Sequence, residues 1–97
     1  MAVYASVTGR VTPGKLNEAA AYLARYAEGI KKISGHDVQI LGQVGEIDSV
    51  MTVTTYEDLA DMEKTIRDVW PSQEYRQLMD SAKGLFSAAE THVFLDT

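Results

Sequence analysis

Few side chains in this sequence have chemistry to offer. Two are histidines, His36 and His92, one is a tryptophan, Trp70, and five are tyrosines. There is no cysteine, which removes disulfides, iron–sulfur clusters, thiolate zinc sites and cysteine nucleophiles. The two histidines stand too far apart in the chain to form a recognisable metal motif. His92 is the side chain best matched to proton transfer near neutral pH, with hydrogen bonding at an interface as the competing role. Trp70, directly before Pro71, reads as a hydrophobic lid on the core or as a pocket wall. Tyr75 shares a helical stripe with Leu78 and Met79 and reads as core. His36 follows Gly35 in a turn and is expected to face solvent, and Asp58, Asp61 and Glu63 are expected on a solvated helix face. There is no P-loop, dinucleotide fingerprint, Ser-His-Asp order or recognisable paired-carboxylate spacing, so no cofactor is expected and no reaction is specified by motif.

These groups sit in 97 residues, read as one domain over 1–97, with an ordinary apolar share of 45%. A net charge of −5 and a pI near 4.8 argue against a sequence-independent grip on nucleic acid or anionic lipid. The basic residues form no run longer than Lys31-Lys32. No apolar run approaches the roughly 20 residues of a membrane span, and the N-terminus lacks the pattern of a secretory signal. A cytoplasmic location is the expectation.

The element that must position everything else is an alternating strand over 2–11. Val3, Ala5, Val7, Gly9 and Val11 share one small, apolar face, the one a helix would cover; Tyr4, Ser6, Thr8 and Arg10 share the other. Thr12-Pro13-Gly14 is expected to cap and open a helix over 13–34. Its stripe is Leu16, Ala19, Ala20, Leu23, Ala27 and Ile30, with alanines 19–21 allowing close approach to a sheet and Gly35 as the left-handed stop. Alternation over 37–44 and 49–55 predicts a hairpin joined by Gly45-Glu46-Ile47-Asp48. Thr55 is expected to cap a helix along Leu59, Met62, Ile66 and Val69; Pro71 ends it. Ser72 caps a third helix that closes near Gly84, and a last strand over 88–95 places Glu90, His92 and Phe94 opposite Thr91, Val93 and Leu95.

The order β-α-β-β-α-(α)-β is the ferredoxin-like arrangement, an α+β fold with a four-stranded antiparallel sheet and helices on one face. The other face is left bare, with Tyr4, Leu41, Phe94 and Val50 or Met51 interleaved among Ser6, Thr8, Arg10, Gln39, Gln43 and His92. Exposed apolar surface of that extent marks an interaction site, and a homodimer through it is the expectation, against a merely amphipathic sheet. The third strand lacks the aromatic pattern of an RNA-binding sheet.

The element order over the whole chain, and locally the run Val69-Trp70-Pro71-Ser72-Gln73-Glu74-Tyr75-Arg76-Gln77-Leu78, resembles the dimeric α+β barrel superfamily, with its antibiotic-biosynthesis-type monooxygenases and NIPSNAP-like proteins. That resemblance implies a homodimer with face-to-face sheets and a pocket in each subunit for a small hydrophobic or aromatic ligand. Monooxygenases of that type oxidise phenolic, polycyclic substrates with dioxygen and neither metal nor flavin. The protein supplies orientation, desolvation and a proton relay. On this basis Trp70, Tyr75 and His92 are the catalytic candidates, and Tyr4, Ser6, Thr8 and Arg10 the substrate-binding ones. The haem-degrading branch is disfavoured, because Ser6 stands near its strand asparagine and its helical histidine is missing. A non-catalytic binding or assembly module of the same fold is the alternative.

Overall fold

A computed structural model describes residues 1–43 and 46–96. The elements are β1 (Val3–Val11), α1 (Leu16–Ser34), β2 (Val38–Gln43), β3 (Glu46–Tyr56), α2 (Leu59–Asp68), α3 (Gln73–Asp80) and β4 (Phe86–Leu95). The strands form one antiparallel sheet in the order β2-β3-β1-β4, with the helices on one face. This is the ferredoxin-like fold that the element order predicts.

The first connection differs from the expectation. Thr12 does not cap α1. Its carbonyl accepts from the Lys15 N–H at 3.0 Å, closing a turn around Pro13 and Gly14. Gly14 has φ +81°, the positive angle a type II turn demands at its third position. The helix starts at Leu16, three residues later than read from sequence. It ends as expected on Gly35, in the left-handed conformation with φ 78°, its N–H bonded to the Lys31 carbonyl.

The buried stripe of α1 is Ala19, Tyr22, Leu23 and Ile30. Leu16 is 46% exposed, and Ala20 and Ala21 face outward. Of the three alanines only Ala19 is buried, at 1% exposed, with Tyr22 and Leu23 beside it on the buried face. Burying Leu23 and Ile30 contributes roughly 1.5–3 kcal/mol each. Close approach occurs between helices. A side chain at Gly29 would meet Leu78 of α3 at 3.1 Å, so hydrogen there lets α3 pack on α1.

The hairpin forms with a shorter connection than expected. β3 begins at Glu46, so Glu46 to Asp48 belong to the strand, while Val44 and Gly45 lie outside the described residues. Pairing of Ser6 with Val53 and of Thr8 with Met51 puts Met51 on the bare face and Val50 on the helix face. The cap of α2 is Asp58 rather than Thr55, accepting from the Asp61 N–H at 2.8 Å. The cap of α3 is Ser72, accepting from Tyr75 N–H at 3.2 Å as expected. β4 starts at Phe86, with a register shift opposite Arg10 and Val11.

The bare face carries Tyr4, Ser6, Thr8 and Arg10 of β1 beside Phe94, His92, Glu90 and Ala88 of β4. Leu41 of β2 pairs with Met51 on the same side. Phe94 is 55% exposed there. No described helix is long and apolar enough to cross a membrane.

Candidate functional site

A cavity of about 620 Å³ lies between the helices and the sheet. Its floor is small. Ala5 and Val7 of β1, Thr52 and Thr54 of β3 and Thr91 of β4 all line it. Its walls are large. Tyr22 and Tyr26 come from α1, Val69 from the end of α2, and Trp70 and Tyr75 from the α2–α3 junction. Lys83 is the one charged side chain among the described residues of the lining. Gly9 belongs to the same floor. A side chain there would meet the Phe86 ring at 3.2 Å, and that ring packs edge-on against Tyr22 with centroids 6.1 Å apart.

The electrostatics of this space are those of neutral phenols. Burial pushes the Tyr22 hydroxyl up to about 12, with Tyr26 adding in the same direction and Arg25 opposing. Burial raises Tyr26 as well, partly offset by a hydrogen bond with Thr54. Tyr56 and Tyr75 are raised by burial first and by neighbouring tyrosines second. All four therefore keep their protons at neutral pH and offer an O–H donor. Tyr22 is 3% exposed, and its hydroxyl is the one buried side-chain polar atom without a hydrogen-bond partner among the described residues. A buried donor left unpaired is a cost that a ligand acceptor would remove.

The sheet divides the residues singled out from sequence. Trp70 and Tyr75 come together on the cavity side, their rings stacked with centroids 5.8 Å apart and planes 7° from parallel. Trp70 is 45% exposed, so it lies at the rim rather than sealing the core. Tyr4, Ser6, Thr8, Arg10 and His92 lie on the opposite face of the sheet and cannot share that cavity. Ser6 donates to the His92 carbonyl at 3.4 Å, and His92 Nε2 lies 3.4 Å from a Glu90 oxygen. Arg10 pairs within its own chain, with Asp48 at 3.0 Å. A single pocket drawing on all seven is corrected by alternation itself, since β1 can present only one of its faces to the helices.

The structure also brings Tyr56 and Asp61 against His36 and its near neighbour Ser34. His36 is not in solvent. Its side chain is 13% exposed, and its ring lies against Tyr56 with centroids 4.6 Å apart. Its Nε2 is 2.9 Å from Asp61 Oδ2, and its Nδ1 is 2.9 Å from Ser34 Oγ. Asp61 also accepts the Glu57 N–H, which is the first cause of its lowered pKa, with His36 contributing in the same direction. Asp61 is thus bonded inward rather than set on a solvated face. Both Ser34 and Tyr56 line the cavity. Ser34, His36 and Asp61 thus form a hydrogen-bonded Ser-His-Asp chain, which corrects the expectation of none; spacing carries no signal for it, because it forms where the end of α1 meets the first turn of α2. The described residues contain no group of three or more carboxylates and histidines that could hold a metal ion.

These features define an α+β ferredoxin-like fold with a partly open cavity between the helices and the sheet and a bare opposite sheet face. The same fold recurs in solved structures. A NIPSNAP family protein from Agrobacterium tumefaciens superposes with a TM-score of 0.82 at 16% identity, covering 99% of this chain and 86% of its own. A mutant form of SnoaB, a cofactor-independent oxygenase from Streptomyces nogalater, superposes at 0.79 and 14% identity over 98% and 92%. A candidate antibiotic biosynthesis monooxygenase from Chloroflexus aurantiacus does so at 0.74 and 14% identity over 100% and 94%. At these identities the likeness is one of fold. No family model and no curated protein matches the chain.

Proposed function

We propose that this chain binds an uncharged, planar, aromatic or polyketide-like molecule in the cavity and acts as a homodimer through its open sheet face. The proposed reaction is oxidation of that molecule by dioxygen without metal or flavin. The observation that carries the ligand class is the lining. It is apolar and aromatic, with a stacked Trp70–Tyr75 pair at the rim and neutral phenol donors inside. A volume of about 620 Å³ lies within the roughly 300–1,000 Å³ range of small-molecule sites. The reaction class follows from the likeness in fold to a cofactor-independent oxygenase. In such a step a phenol-activated CH₂ becomes C=O. Both electron pairs come from the substrate, one oxygen atom enters the product, and the other leaves as water.

In this reading Trp70 packs on the ligand ring and Tyr75 donates a hydrogen bond from its neutral hydroxyl. Tyr4, Ser6, Thr8, Arg10 and His92 belong to the dimer contact, where His92 hydrogen-bonds between subunits. One observation favours a second reading, binding without turnover. The titratable groups of the cavity are chiefly phenols held in their neutral form, which bind and orient but do not accept protons.

Oxygen uptake with a panel of polyphenols and anthrones, alongside Trp70 fluorescence, separates the two. Uptake matched by product supports the oxygenase. A saturable fluorescence change without uptake supports the binding module, and neither response would refute both.

A further inference from the structure

We propose that Ser34, His36 and Asp61 form a proton relay that draws the proton from a phenolic hydroxyl of the ligand at the Ser34 end of the cavity. This rests on the cavity reading above and supplies the base that the phenols lack.

The hydrogen bonds define the states of the relay. Asp61 is ionised and can only accept, so it holds a proton on His36 Nε2, 2.9 Å away. Nδ1 then carries the lone pair, 2.9 Å from Ser34 Oγ. The Ser34 hydroxyl has one hydrogen and two acceptors in reach, Nδ1 and the Ile30 carbonyl at 2.8 Å. Its oxygen also accepts the His36 backbone N–H at 3.4 Å. With neutral His36 the hydroxyl hydrogen points to Nδ1. With the imidazolium, Nδ1–H donates to Oγ and the hydroxyl turns to the Ile30 carbonyl. Both states are fully bonded, and only a hydroxyl rotates between them.

His36 follows directly on the left-handed cap of α1. The groups around it are Asp61 of α2 with Lys64 nearby, Tyr56 of β3, and Asp37, which pairs with Lys31 at 2.8 Å. In the step, the ligand O–H breaks as its proton joins Ser34 Oγ. The Ser34 O–H breaks as its own proton joins Nδ1. A phenolate and an imidazolium result, with no change in oxidation state. Ser34 touches the ligand; His36 and Asp61 act through it.

Alizarin, a planar hydroxyanthraquinone whose phenolate absorbs at longer wavelength, is the probe. Unsubstituted anthraquinone, which has no proton to give, is the control. In the native protein, bound alizarin should ionise about one pH unit below the free dye, roughly a tenfold gain in its ionisation constant. In Ser34→Ala and in His36→Asn, which keeps a polar group at the Nδ1 position, alizarin should bind yet ionise like the free dye; in His36→Asn, which does not touch the ligand, anthraquinone binding should be unchanged. The relay is overturned if the native protein leaves the bound dye's ionisation unshifted, if both variants retain the shift, or if anthraquinone binding to His36→Asn falls with it. Absence of binding by either compound to the native protein would instead refute the cavity reading, and the relay with it.

Discussion

Trp70 and Tyr75 lie ring on ring, 5.8 Å between centroids, across the break between α2 and α3. Pro71 and the Ser72 cap make that possible. The proline ends one helix, the serine starts the next, and the two aromatic residues meet at the rim of the cavity. Trp70→Ala should cost about 1 kcal/mol of stability, the scale of one stacked pair at a half-exposed site. It should weaken binding of a planar aromatic ligand by a larger factor. Urea unfolding and equilibrium dialysis measure the two effects separately.

Tyr22→Phe should go the other way on stability. Removing a buried hydroxyl that has no partner should leave the protein as stable or more so, by about 1 kcal/mol, because the unpaired donor no longer has to be desolvated. Affinity for a ligand bearing a carbonyl should fall while affinity for the corresponding hydrocarbon stays. A loss of stability on this change would mean that the hydroxyl is satisfied in solution.

Alkaline pH should unfold the protein through its phenols. Burial favours the neutral form, so the folded Tyr22 value of about 12 lies above the unfolded value near 10. Tyr26, Tyr56 and Tyr75 shift in the same direction. Their contribution is complete below about pH 10 and is lost as pH rises through the folded values, since the unfolded chain gives up its protons first. Ultraviolet titration should show tyrosinate appearing together with the loss of near-ultraviolet circular dichroism. Independent ionisation of all the tyrosines near pH 10 in a folded protein would contradict the buried environment.

Association should depend on the open sheet face. Phe94 is 55% exposed and pairs with Tyr4 across the β1–β4 ladder. Phe94→Lys should convert a species of twice the chain mass to the monomer in sedimentation velocity, with the circular dichroism spectrum unchanged. A monomeric native protein at low micromolar concentration would remove the dimer from the proposal.

His92→Ala separates the two faces. With the reacting ligand on the helix side, oxygen uptake should be unchanged apart from any effect of weaker association, which higher protein concentration restores. A loss of turnover that concentration does not restore would move the chemistry to the open face.

The sequence by itself determined the element order, the helix stops at Gly35 and Pro71, the cap at Ser72, and the two faces of β1 and β4. Those are local properties. Strand alternation has a period of two, and a turn or cap is specified within a few residues. The tertiary structure decided the rest. Of the stripe read for α1, Ala19, Leu23 and Ile30 are buried, while Leu16 and Ala20 are exposed and Tyr22 is buried instead, because apolar periodicity does not report which side chains the neighbouring layer covers. Trp70 and Tyr75 fell on one side of the sheet and His92 on the other, because a pocket belongs to one face only. His36 and Asp61, 25 positions apart, became hydrogen-bonded partners because the end of α1 lies against the start of α2. That distance is set by packing across the core, which spacing along the chain does not encode.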